Sequence, residues 1–135
     1  ENFVILIIDQ MKGNDFMNIK TKEFDNLENW ITYENQIFVN NELLGKAYTM
    51  VQYDEDDDKE QEVYLEDIVI YEQYRNQGFG SKAIQMLAEQ NEFLYFAPTD
   101  ENNQRLYERI ASDMEEDLSD VPEVDQGYGV YYIEY

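Results

Sequence analysis

The residues best placed for chemistry lie between positions 64 and 84 of the 135-residue chain, in the stretch YLEDIVIYEQYRNQGFGSKAI. An apolar run, Ile68-Val69-Ile70, leads into the polar loop Arg75-Asn76-Gln77-Gly78-Phe79-Gly80-Ser81, and a helical pattern starts at once. Glycine at such a junction tolerates positive φ and lets backbone approach a ligand closely. The first N–H groups of a helix have no intrahelical partner, so they can receive an anion. A phosphate or pyrophosphate is the natural guest. Arg75 and Lys82 flank the junction and would supply local positive potential. The same features also suit an ordinary strand-to-helix turn with surface cations. Two known phosphate loops are excluded. The Gly-Lys-Ser/Thr ending of a Walker loop is missing, and the three-glycine dinucleotide fingerprint is incomplete.

Elements must hold these residues in place. Residues 3–8 read as a buried strand, and 15–30 as a helix with Asp25 as N-cap and Leu27, Trp30 and Ile31 on its apolar face. Residues 37–39 and 47–53 read as a hairpin turning at Asn40-Asn41-Glu42. A strand over 62–70, a helix over 78–91 and a short strand over 92–96 form a βαβ-like unit. The helix buries Ala83, Ile84, Leu87 and Ala88. A helix over 100–118, an acidic linker over 119–126 and a strand over 128–135 complete the chain. This order predicts a single α/β (α+β) domain over 1–135, with a mixed sheet covered by helices.

Composition removes many alternatives. The chain has no Cys and no His, so it has no disulfide framework, no thiolate or imidazole metal site, no Cys nucleophile and no Ser-His-Asp triad. No metal is expected. The charge run at 54–60 fails as an EF-hand, because Lys59 and Leu65 stand where the motif needs Gly and Glu. It reads as a solvated loop. With 31 acidic and 9 basic residues the net charge is −22, which argues against nucleic-acid binding. The apolar run at 3–8 is too short for a signal peptide or a membrane span, so a cytoplasmic protein is expected.

The motif Arg75-Asn76-Gln77-Gly78-Phe79-Gly80, preceded by Ile68-Val69-Ile70 and the pair Tyr74-Arg75, resembles the GNAT superfamily of acyl-CoA-dependent N-acetyltransferases. Their signature is Gln/Arg-x-x-Gly-x-Gly/Ala between the fourth strand and the third helix. The helix carrying Leu106-Tyr107-Glu108-Arg109-Ile110 is similar to the family's second motif. The resemblance implies a mostly antiparallel sheet, splayed between its central strands. It also implies acetyl-CoA as cosubstrate, its pyrophosphate on the amides from Arg75 through Ser81. The pantetheine arm would pair with the strand end at Ile68, Val69 and Ile70, and the Ile70 N–H would polarise the acetyl carbonyl. Asn103, where the family often has Ala, is a further candidate contact with the cofactor. The acceptor amine would attack directly, so no covalent acyl-enzyme is needed.

On the same resemblance, Glu66 is the candidate base for the ammonium proton. Strand alternation would put it on one face with Tyr64, Ile68 and Ile70, and Asp67 on the other. Tyr107 is the candidate acid for the departing thiolate, although its spacing with Leu106 and Ile110 also describes core packing. The family's usual Asn and Ala before this Tyr are Asp100 and Asn103 here, and its usual two final strands are expected as one.

The acidity favours a cationic acceptor: a polyamine, an aminoglycoside or an amine of a basic protein. The acidic stretches 54–60 and 113–125 could line its site, and Tyr128, Tyr131, Tyr132 and Tyr135 could meet it by cation–π contact or simply pack the sheet. The alternative function is a non-catalytic acidic binding module that engages a basic protein partner. The intact glycine loop and Tyr107 favour the enzyme.

Overall fold

The computed structural model describes residues 5–10, 15–27, 30–52, 63–98, 100–114 and 130–134. The charge run at 54–60 and the linker at 119–126 lie outside them, as do Tyr128 and Tyr135. Five strands precede the first helix: β1 (Ile5–Gln10), β2 (Phe16–Leu27), β3 (Trp30–Val39), β4 (Glu42–Gln52) and β5 (Val63–Ile70). Helix α1 (Phe79–Asn91), strand β6 (Phe93–Phe96), helix α2 (Glu101–Ile110) and strands β7 (Asp113–Met114) and β8 (Tyr131–Glu134) complete the order. The strands form one sheet in the order β1-β2-β3-β4-β5-β6-β8-β7. All neighbours are antiparallel except β5 and β6. This is the mixed, mostly antiparallel α+β architecture that the sequence predicts.

The helix expected at 15–30 is a strand. Met17, Ile19 and Thr21 are buried while Asn18, Lys20 and Lys22 between them are not, which is a period of two. Leu27 and Trp30, expected on one helical face, sit opposite each other on β2 and β3. Asp25 lies inside β2 and caps nothing helical. Thr21 points inward because Asn35 of β3 receives it. The Thr21 hydroxyl donates to Asn35 Oδ1 at 2.6 Å, and Asn35 Nδ2 donates to the Ala47 carbonyl and Thr49 Oγ1. That paired polar line crosses β2, β3 and β4 inside the core.

Among the described residues the glycine loop therefore comes after the fifth strand and opens the first α-helix, not the third. The β3–β4 hairpin turns at Asn40 and Asn41, both at positive φ (50° and 69°), as a two-residue Asn-Asn turn requires. Helix α2 stops at Ile110 instead of running to 118. The Ser112 N–H donates to the Tyr132 carbonyl at 2.7 Å, and β7 then pairs with β8, so among the described residues two strands follow α2 rather than one.

Ala83, Ile84, Met86, Leu87 and Ala88 of α1 and Tyr107 of α2 share one core with Met17, Ile19, Ile37, Ala47, Leu65, Leu94 and Phe96. Tyr64, Ala97 and Val130 form a second cluster with Trp30 and Tyr95. Tyr131 and Tyr132 pack the sheet: Tyr131 stacks on Phe96 and Tyr132 on Phe93.

Candidate active site

The site begins where the two parallel strands part. β5 and β6 share two register pairs, Tyr64↔Tyr95 and Leu65↔Phe96. Two local features end the pairing. Continuing the register would set Asp67 against Pro98, which has no N–H to give a ladder. On β5, Tyr48↔Asp67 succeeds Thr49↔Leu65, so Glu66 is an extra residue without a partner on β4. Such a bulge bends its strand and frees the residues after it.

The bulge also reverses the alternation. Val63 and Leu65 belong to the α1-side core before it, and Ile68 and Ile70 pack against that core after it. Tyr64 therefore lies in the second cluster and not on the face of Ile68 and Ile70, and alternation no longer places Glu66 on that face, both contrary to expectation. Glu66 and Asp67 are both exposed, and Val69 is 41% exposed.

Backbone directions past the bulge are fixed by two contacts. Tyr71 N–H donates to the Leu44 carbonyl of β4 at 2.8 Å. The Val69 carbonyl also faces β4, so close to Gly45 that a Cβ there would stand 2.1 Å from its oxygen. Gly45 is what lets the strands approach. Since backbone groups alternate sides along a strand, the N–H and C=O groups of Ile68 and Ile70 point away from β4, toward the gap. Ile68 N–H donates to Asp67 Oδ1 at 2.9 Å, and the Ile70 carbonyl accepts from Arg75 Nε at 2.9 Å.

The loop then turns through a 3-10 segment, Glu72–Tyr74, and Tyr74 donates its hydroxyl to the Glu42 carboxylate. That acceptor, with burial a smaller cause, raises the Tyr74 pKa above the ordinary phenol value. Asn76 adopts φ 63°, and Gln77 Nε2 donates to the Gln73 carbonyl at 3.3 Å. Gly78 is the N-cap of α1 at φ 82°, a conformation that glycine takes without strain. No side chain caps α1 there, and its first turn carries no acidic residue. Helix α2 shows the contrast: Asp100 caps it by accepting from Asn103 N–H at 2.8 Å, and Glu101 comes next. In a chain with 31 acidic residues, an uncapped helix start without a carboxylate is a local exception. With no capping side chain at this helix start, the amides of its first turn, Phe79, Gly80 and Ser81, can receive an anion. A Cβ on Gly80 would reach only ordinary contact with Ile70, 3.6 Å away, so Gly80 joins the loop to the free strand end.

Tyr107 borders the same region. It is 3% exposed and packs edge-on against Phe96 at 4.5 Å. No buried side-chain oxygen or nitrogen of the described residues lacks a partner. Burial, and then the charges of Asp67 and Asp100, push its pKa well above the ordinary phenol value. Asp67 is a β5 carboxylate whose charge reaches this hydroxyl. Sequence reasoning gives Asp67 no role, because alternation sets it on the face opposite Ile68 and Ile70; it meets the strand edge by accepting from the Ile68 N–H instead. The candidate contacts Arg75 to Ser81 and the Ile68–Ile70 edge are brought together here. Asn103 stands a turn before Tyr107, half-buried.

A family model, Acetyltransferase (GNAT) family, matches residues 7–111, which is 105 of the 135 residues. The chain belongs to the GNAT acetyltransferase family. Searches of curated proteins and of solved structures find no match. The GNAT match covers β5, the glycine loop, α1, β6 and all of α2, so the whole site lies within it. GNAT membership makes the chain an acyltransferase, and GNAT domains typically use acetyl-CoA. Among the described residues no helix is long and apolar enough to cross a membrane, and no cluster of carboxylates could hold a metal ion.

Proposed function

We propose that this GNAT domain is an N-acetyltransferase that moves an acetyl group from acetyl-CoA to a primary amine, with a cationic amine as acceptor. The observation that carries the cofactor reading is the free edge of β5 beside the acid-free start of α1. A strand edge suits the amides of a pantetheine arm, and helix amides with Arg75 and Lys82 nearby suit a pyrophosphate.

Acetyl-CoA supplies an activated acyl thioester. The chain's own residues do the rest. Backbone amides from Gln77 to Ser81 hold phosphate, and the Ile68–Ile70 edge aligns the arm. The Ile70 N–H faces the gap and can stabilise negative charge on a carbonyl oxygen. An alkylamine is protonated at neutral pH, so Glu66, exposed at the bulge, serves as the base. Tyr107 keeps its proton well above neutral pH. Its raised pKa exceeds that of an ordinary thiol, near ~8.5. It therefore works as a hydrogen-bond donor to charge developing on the leaving sulfur, rather than as an acid that gives its proton up completely.

The test is thermal unfolding with and without acetyl-CoA. Ligand at a hundred times its Kd adds about 2.7 kcal/mol, a shift on the order of 10 °C for a chain of this size. The shift should be lost when Gly78 is replaced by Val. No shift at saturating acetyl-CoA or CoA would overturn the reading, and recovery of a basic protein bound to the chain would then favour the non-catalytic alternative.

A further inference from the structure

The free edge of β5 is not bare. Past Leu65 it turns the N–H and C=O groups of Ile68 and Ile70 toward the gap, and side chains of the chain itself hold one donor and one acceptor among them. Asp67 Oδ1 takes the Ile68 N–H, and Arg75 Nε gives to the Ile70 carbonyl, each at 2.9 Å. An unpaired strand edge is a template for any extended amide-bearing segment, so these two contacts occupy the positions that an added strand would use. Both residues are exposed, and the two contacts lie two residues apart on the same edge.

We infer that Asp67 and Arg75 are side-chain placeholders on the open β5 edge, and that Asp67 competes with the donor substrate for the Ile68 amide. The inference rests on the acetyl-CoA reading for the identity of that ligand. The two placeholders differ in what release costs. Arg75 can exchange a carbonyl for phosphate at the neighbouring helix start, and a charged acceptor is the stronger partner. Asp67 has no such exchange. Its carboxylate gives up a hydrogen bond and remains beside an anionic ligand. Asp67 is thus a positioning residue that sets donor affinity, distinct from the groups that touch the reacting atoms.

Binding of CoA and of pantetheine, which carries the same amides without phosphate, should be measured by calorimetry for the parent, Asp67→Ala and Asp67→Asn. Asp67→Ala should bind both ligands about tenfold more tightly, since a charged hydrogen bond no longer has to be broken. Asp67→Asn keeps a side-chain oxygen for the Ile68 amide and should stay within about threefold of the parent for pantetheine. In the ligand-free protein, the Ile68 amide should exchange its hydrogen faster in Asp67→Ala than in the parent. Tightening for CoA alone would mean simple charge repulsion and would overturn the inference. Unchanged Ile68 exchange, weaker binding in Asp67→Ala, or equal tightening in both variants would do the same. If no protein binds CoA or pantetheine, the acetyl-CoA reading fails, and the Ile68 exchange comparison still decides whether the placeholder contact exists.

Discussion

On the proposed mechanism Tyr107 joins two roles that are usually kept apart, a core residue and a proton-bearing one. Its ring fills the space against Phe96, and its hydroxyl feels Asp67 and Asp100. Replacing it by Phe keeps the ring and removes the donor. Such a Tyr107→Phe protein should fold with little change in stability near neutral pH, and its kcat should fall about 10²-fold. The alkaline limb separates the two roles further. Because folding raises the phenol's pKa, its contribution is complete below the unfolded value, near ~10, and is lost as pH rises past that toward the folded one. Denaturant unfolding from about pH 9 to about pH 11.5 should therefore show the parent losing stability more steeply than Tyr107→Phe. Equal slopes would mean that the hydroxyl is more solvated than its burial indicates. Glu66 calls for the complementary result. Glu66→Gln should lower kcat with a folded, acetyl-CoA-binding protein, and the loss should shrink as pH approaches the acceptor's own pKa, where free amine no longer needs a base.

At the level of elements, the open edge of β5 is backed by its close approach to β4, and Gly45 permits that approach. A Cβ there would meet the Val69 oxygen at 2.1 Å and the Ile70 Cα at 2.9 Å, both backbone atoms that cannot rotate away. Gly45→Ala should cost about 1–3 kcal/mol. It should weaken acetyl-CoA binding as well, because the strand it displaces is the one whose far side forms the edge. Unfolding and binding measured on the same variant test both effects, and a loss of stability alone would uncouple Gly45 from the site.

The same elements show what the amino-acid order reveals. The β5–α1–β6 unit is legible because its apolar runs are short and bounded by Gly78 and by Glu92, which ends α1 at positive φ. The β2 strand is not, because Thr21 is polar and its inward place depends on Asn35, fourteen positions away. The bulge at Glu66 is hidden for a similar reason. Nothing in EDIVI marks an extra residue, and only pairing with β4 shows it. That one hidden residue puts Tyr64 on the wrong face in a reading by alternation.

Over the whole molecule, a charge of −22 acts oppositely on the two proposed substrates. The field draws a polyamine in and repels an anionic donor, which must then rely on short-range contacts at Arg75, Lys82 and the α1 amides. Salt screens the long-range part first, with a Debye length of about 10 Å at 0.1 M. Between roughly 20 mM and roughly 300 mM salt, kcat/KM for a triamine acceptor should fall about tenfold, and that for a monoamine should fall less. The association rate of CoA should rise over the same range, because the field being screened opposes it. Stopped-flow binding and steady-state kinetics read the two slopes separately. Parallel slopes for triamine and monoamine would assign the acidity to solubility alone. A CoA association rate that falls with salt would show that the cations at the glycine loop, and not the net charge, govern how the donor arrives.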